Sequence, residues 1–240
     1  MAADEFHLFS TLRYDPQLTD VPQQGPQHAG WNYDNKSPIY MLDHHRDRLL
    51  KAASHWGWER AVQTLEGPAG LESLADGLED FVGPDQSSPL RLKILVDRHG
   101  QVTFEKADTP RVPIRQLFPT RLPAPRERPH SPGGEPPKVQ AQCYALVLDG
   151  AKTVRSEYTH FKTTHRPMYD GARQRANISP ADLKEVLTVS PDGSVMEASI
   201  TTPYFWRKGR WVTPPVSDGY SDIDGSGGQE GTSRRWALER

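Results

Sequence analysis

The apolar positions change period along the chain. Between residues 42 and 58, Leu42, Leu49, Ala53 and Trp56 recur at helical spacing and give one apolar face. Asp43 suits the cap or first turn of that helix, and Gly57 suits its stop. A weaker helix is predicted over 69–81, where Leu71, Leu74, Leu78 and Phe81 are three or four apart. From 90 to 106 the period falls to two. Leu90, Leu92, Ile94 and Val96 alternate with Arg91, Lys93 and Asp97 in register, and Val102 and Phe104 repeat the pattern beyond Arg98-His99-Gly100. That is a β-hairpin signal. Two helices and a hairpin predict a small N-terminal α/β lobe over 1–120.

The pattern then breaks. Prolines 123, 125, 129, 132, 136 and 137 share the next stretch with Gly133 and Gly134, which predicts a linker over 121–138. A second lobe, 139–240, opens with the apolar run Tyr144 to Leu148, read as a buried strand. A helix over 167–177 follows, with Pro167 tolerated in its first turn. A meander comes next: a strand from Glu185 to Val189, a turn at Pro191-Asp192-Gly193, one long or bent strand from Val195 to Trp206, a turn at Arg207-Lys208-Gly209, and a strand at Trp211-Val212-Thr213. Residues 217–231 are rich in Gly, Ser and Asp and are predicted to be mobile. A helix starts at Thr232.

Composition narrows the class. The 22 prolines in 240 residues are roughly twice the usual share of ~5%, in keeping with long loops. The length allows one large domain or two small ones with a real core. A net charge of −2 gives no field to draw in nucleic acid. Arg111, Arg115, Arg121, Arg126 and Arg128 fall in proline-rich sequence with no interleaved aromatics. The single cysteine, Cys143, excludes an internal disulfide framework and a multi-cysteine zinc site. It fits a reducing compartment. His44 and His45 are adjacent, which does not aim both at one ion, so no metal site is expected. The acidic N-terminus is unlike a signal peptide, and no apolar run approaches the ~20 residues a bilayer span needs. A soluble, cytoplasmic protein is the expectation.

Four elements could carry chemistry. His45-Arg46-Asp47-Arg48-Leu49 places Arg48 beside the apolar face of the first long helix; alone it reads as a solvated charged face. In His160-Phe161-Lys162-Thr163-Thr164-His165-Arg166, a lysine stands between aromatic and hydroxyl residues; burial would make it a usable amine nucleophile. Glu197, amid strand residues 196–202, needs a partner if buried. Gly227-Gly228-Gln229-Glu230-Gly231-Thr232-Ser233-Arg234 leads glycines and hydroxyls into a helix start, where free backbone amides favour an anion. Together they supply an amine for a Schiff base, a carboxylate for a protonated ring nitrogen and a phosphate cradle. Those are the requirements of pyridoxal phosphate.

In that order and spacing the chain resembles the class IV pyridoxal-phosphate enzymes, over about residues 6–240. These are branched-chain and D-amino-acid aminotransferases and 4-amino-4-deoxychorismate lyases. Phe9-Ser10-Thr11-Leu12-Arg13 resembles the family's Phe-Glu-Thr-Leu-Arg strand. The resemblance implies an α/β (α+β) fold of two lobes with the cofactor between them, the second a β-rich pseudo-barrel, and a homodimer. It implies that Lys162 carries the cofactor and shuttles a proton, and that Glu197, 35 residues on, partners the pyridine nitrogen. Arg48, with Thr232 and Ser233 after Gly231, would hold the phosphate, and Ile200 and Thr201 would line the pocket. Lys152 is a rival for Lys162, but it lies 45 residues before Glu197. Arg13, His165 and Arg166 are candidates to receive an anionic amino substrate.

Phe9 to Arg13, His55-Trp56-Gly57-Trp58 and Lys162 to Arg166 resemble the lyase branch most. That branch releases pyruvate from aminodeoxychorismate and leaves p-aminobenzoate, a folate precursor. The alternatives are a class IV aminotransferase and a non-catalytic relative. Thr202 stands where the family often has asparagine, the 217–230 stretch is longer than usual, and the family normally continues beyond the last residue here, so a truncated C-terminal lobe is expected.

Overall fold

The structure is a computed structural model and describes residues 5–125 and 143–240. Most of the predicted linker, including its arginines at 126 and 128, lies outside the described residues. The described chain forms two compact units: residues 1–120 with 161–165 and 230–240, and residues 121–160 with 166–229.

The first unit is built on an antiparallel sheet of β1 (Leu8–Tyr14), β2 (Leu90–Val96) and β3 (Val102–Asp108), in the order β1-β2-β3. Leu8 lies opposite Val96 and Tyr14 opposite Leu90. The predicted hairpin is therefore β2–β3, and its missing neighbour is the strand at the chain's start. Alternation places Leu8, Ser10, Leu12, Leu92 and Ile94 inside. Helix α1 (Leu42–His55) packs on β1, and α2 (Glu59–Leu65) and α3 (Gly67–Val82) follow it. Asp43 is a first-turn acid in α1. The N-cap is Met41, held left-handed at φ 49°. Buried Asn32 accounts for this strained entry: its Oδ1 accepts from Met41 N at 2.9 Å and its Nδ2 donates to Ile39 O at 2.8 Å.

Residues 16–34, which carry no clear period, fold as short helical turns. They supply Leu18, Val21 and Ala29 to a core with Met41, Phe118 and Trp236. Trp236 comes from α5 (Thr232–Leu238), and its Nε1 donates to His28 O. The segment Phe161–His165 runs antiparallel beside β1. Phe9 N donates to Lys162 O at 3.0 Å, and Thr164 N donates to His7 O at 2.9 Å.

The second unit holds β4 (Ala145–Lys152), helix α4 (Pro167–Arg175), β5 (Lys184–Val189) and β6 (Val195–Ala198). The sheet order is β4-β5-β6, with β4 parallel to β5 and β6 antiparallel. The run from Tyr144 is a strand but is not buried: Tyr144, Leu146 and Leu148 are 59%, 52% and 65% exposed. As an edge strand, β4 has one neighbour, and apolar sequence alone does not reveal that. The predicted strand from Val195 to Trp206 is two strands. β6 ends at Ala198, a bend follows, and β7 (Phe205–Arg207) pairs with β8 (Arg210–Val212) in a separate hairpin. The bend is imposed from β5, as described below. The last helix, α5 (Thr232–Leu238), belongs to the first unit.

Residues 217–231 are irregular, as their composition suggests, but they are tied down. Ser226 N donates to Pro215 O, and Ser226 Oγ donates to Met196 O at 3.1 Å. A Cβ on Gly228 would stand 2.7 Å from Met196 O and 3.1 Å from Glu197 Cβ. The glycine here permits a close approach to β6.

Candidate active site

In the first unit, α1 and β1 bring three polar side chains together under the sheet. Ser10 is fully buried and His45 nearly so. Arg48 Nη2 donates to Ser10 Oγ at 2.5 Å, and Ser10 Oγ lies 2.8 Å from His45 Nδ1. His45 and Arg48 are three apart on α1 and so share a face. Burial, then the charges of Arg48, His44 and Lys162, hold the His45 pKa well below its ordinary 6.5. Lys162 and Arg48, 114 positions apart in the sequence, thus act on one buried imidazole. Lys162 is half-buried, and its Nζ lies 4.7 Å from the centre of the Phe9 ring, where Lys93 Nζ also approaches at 5.3 Å.

A pH dependence follows. The unfolded imidazole takes a proton near pH 6.5 and the folded one does so only at lower pH, so folding stability falls as pH drops below about 6.5. The expected contribution is up to about 1.4 kcal/mol per pH unit. Urea denaturation of wild type and His45→Gln between pH 5 and 7.5 checks it: the two stability curves should diverge in slope below pH 6.5.

The start of α5 is fastened to α1 on both sides. Glu230 meets Lys51 at 3.5 Å, and Arg235 Nη1 meets Asp47 at 2.8 Å. Gly231, Thr232 and Ser233 lie between these anchors, along the part of α1 that carries Arg48. Gly231 is the N-cap and makes no side-chain cap hydrogen bond. Arg48, Thr232, Ser233 and Lys162 thus all belong to the first unit.

In the second unit, Glu197 is half-buried on β6. Its Oε1 accepts a short hydrogen bond from Tyr169 Oη, and its Oε2 accepts from Gln229 N at 3.2 Å. Tyr169 is fully buried on α4, and the Arg166 guanidinium lies 4.7 Å from its ring centre. Burial first, and the neighbouring Glu197 carboxylate second, push the Tyr169 hydroxyl pKa well up, so it stays a donor. Ile200 and Thr201 serve a different carboxylate. Buried Glu185 accepts from Ser199 Oγ at 2.5 Å, Ile200 N at 3.2 Å, Thr201 Oγ1 at 3.1 Å and Val186 N at 2.9 Å. This clamp makes the bend that divides β6 from β7.

The structure also shows what the candidate substrate cations do. Arg13 Nη2 donates to Asp15 at 2.6 Å and to Pro110 O at 2.9 Å. Arg166 Nη2 donates to Ser199 O at 2.7 Å. His165 is half-buried. The rival Lys152 ends β4, in the second unit. Ser10, His45 and Gln229 stand within the motifs above but nothing in the sequence gives them a role, and Tyr169 and Glu185 carry no local signal of theirs. A hydroxyl at an apolar-facing strand position, Ser10, is the local hint.

The family match makes this a pyridoxal-phosphate-dependent enzyme. The chain belongs to the amino-transferase class IV family, whose pattern matches residues 30–240. It is 23% identical over 219 residues to a candidate aminodeoxychorismate lyase of Schizosaccharomyces pombe, covering 90% of this chain and 69% of that protein. Among solved structures it resembles a candidate amino-acid aminotransferase from Mesorhizobium loti, with TM-score 0.60, 17% identity and coverage of 98% of this chain and 83% of that one. It also resembles a candidate 4-amino-4-deoxychorismate lyase from Legionella pneumophila, with TM-score 0.54, 12% identity and coverage of 89% and 63%. Among the described residues no helix is long and apolar enough to cross a membrane.

Proposed function

We propose that this chain is an aminodeoxychorismate lyase, which eliminates pyruvate from 4-amino-4-deoxychorismate and leaves p-aminobenzoate, a step towards folate. The observation that carries the reading is that Lys162 and Arg48 are both seated on β1, Lys162 through its carbonyl on Phe9 N and its Nζ over the Phe9 ring, and Arg48 through Ser10 Oγ. The similarity to the S. pombe protein favours the lyase branch over an aminotransferase.

In this reading Lys162 would supply the amine that holds the cofactor's aldehyde and would serve as the base for the proton on the substrate's amine-bearing carbon. Arg48, with the Thr232 and Ser233 hydroxyls, would hold the phosphate. Glu197, which accepts from Tyr169 Oη and Gln229 N, would keep the pyridine nitrogen protonated. The bound cofactor supplies an electron sink for the charge left when the proton is removed. Arg13 and Arg166 already have protein partners, so we assign them to structure, and His165 remains the candidate for a substrate carboxylate. The proposed setting is a cytoplasmic homodimer acting on a small anionic amine.

Two measurements test this. Borohydride reduction of the pyridoxal-phosphate-loaded protein, followed by peptide mapping, should place a phosphopyridoxyl group on Lys162. Incubation with aminodeoxychorismate should release pyruvate without any keto-acid acceptor. A strict need for an acceptor would make the protein an aminotransferase; a label on another lysine would remove the site assignment.

A further inference from the structure

Arginine and lysine hold anions well only when the side chain is fixed before the anion arrives, because each loses rotamer freedom on binding. Arg48 has a device for this. A guanidinium has donors only, so in the 2.5 Å contact Ser10 Oγ is the acceptor. The one hydroxyl hydrogen of Ser10 is then left for His45 Nδ1 at 2.8 Å. Accepting it requires a bare Nδ1, with the proton of the neutral imidazole on Nε2, and in that tautomer the hydroxyl hydrogen of buried Ser10 is also paired. Ser10 is fully buried and sits in the middle of β1, paired opposite Ile94, so the anchor is part of the sheet.

We propose that Ser10, oriented by His45, is a positioning residue for Arg48 and sets the protein's preference for a phosphorylated over an unphosphorylated pyridoxal. This inference rests on the assignment of Arg48 to the phosphate and adds a residue and a selectivity to it. His45 supports the role by staying neutral, since a protonated Nδ1 would be a donor and would turn the Ser10 hydrogen away.

The test compares dissociation constants of the full-length apoprotein for pyridoxal phosphate and for pyridoxal, read by quenching of tryptophan fluorescence. Ser10→Ala should weaken pyridoxal phosphate about tenfold and leave pyridoxal within about twofold. Ser10→Thr, which keeps the hydroxyl, should keep the wild-type ratio. Ser10→Cys keeps the volume with a weak hydrogen-bonding group, and should lower the ratio even if the alanine variant does not fold. Equal weakening of both ligands in the alanine and cysteine variants would make Ser10 merely structural and overturn the proposal, as would an unchanged ratio. Arg48→Gln separates the layers. If it collapses the ratio while the Ser10 variants do not, the positioning role alone fails; if it leaves the ratio unchanged, the phosphate assignment fails and the inference goes with it.

Discussion

Lys162→Ala is expected to abolish the borohydride-stable label and to lower turnover by at least 10²–10⁴-fold, the range for loss of a positioned proton-transfer group, with the nucleophile lost as well. Lys162→Arg is the sharper variant. It keeps a cation near Phe9, 4.7 Å from Nζ in the wild type, and keeps the charge beside His45, but it cannot condense with an aldehyde. Both variants should still bind the cofactor through Arg48, without a covalent link. The check is the reduced-peptide map together with dialysis: cofactor that washes out of the variant but not out of the wild type. Persistence of a stable label in Lys162→Ala would move the chemistry to another lysine, with Lys152 the first to examine.

The second large effect concerns stability. Glu185→Ala removes the acceptor of four short contacts, from Val186 N, Ser199 Oγ, Ile200 N and Thr201 Oγ1, and also the charge that Arg173 approaches at 3.7 Å. Ser199 is buried, so its hydroxyl is left without this acceptor and without ready access to water. The expected cost is about 3–5 kcal/mol, as for a buried charge network broken from one side. Urea denaturation gives the stability, and limited proteolysis should show new cleavage between 198 and 204. Glu185→Gln, which keeps acceptor and shape but loses the charge, should recover a large part of that cost. A change below about 1 kcal/mol in the alanine variant would mean the clamp does not hold the bend.

That clamp also explains where sequence reading stopped. Helices α1, α3 and α4 and the β2–β3 hairpin were legible because their signals are local: an apolar stripe, a proline in the first turn, a glycine at a turn. The strand predicted from Val195 to Trp206 was not, because what bends it is a carboxylate on another strand. The exposure of Leu146 and Leu148 was illegible for the same reason; an apolar run states what the residues prefer, and the sheet's edge decides what they get. The chemistry divides likewise. Residue type and order single out Lys162, Arg48 and Glu197 as candidates. They do not reveal the groups that contact them in the structure. Tyr169 reads as any aromatic on the inner face of a short helix, and nothing near it in sequence points to Glu197. Gln229 reaches Glu197 through its backbone amide, and a backbone donor leaves no residue-type signal in the sequence.

The way the first unit is assembled bears on how the chain acquires its fold as it is made. Trp236 packs with Leu18, Val21 and Phe118, and its indole donates to the carbonyl of His28. The edge strip at 161–165 lies on β1, which is made long before it. At ~5–20 residues per second, Trp236 leaves the ribosome roughly ten to forty seconds after Leu18. Through that interval the cavity that the indole will fill stays open, and its apolar lining is available to chaperones or to other nascent chains. The first unit therefore closes only once α5 has been made, and a ribosome that stalls before α5 leaves that unit without its plug.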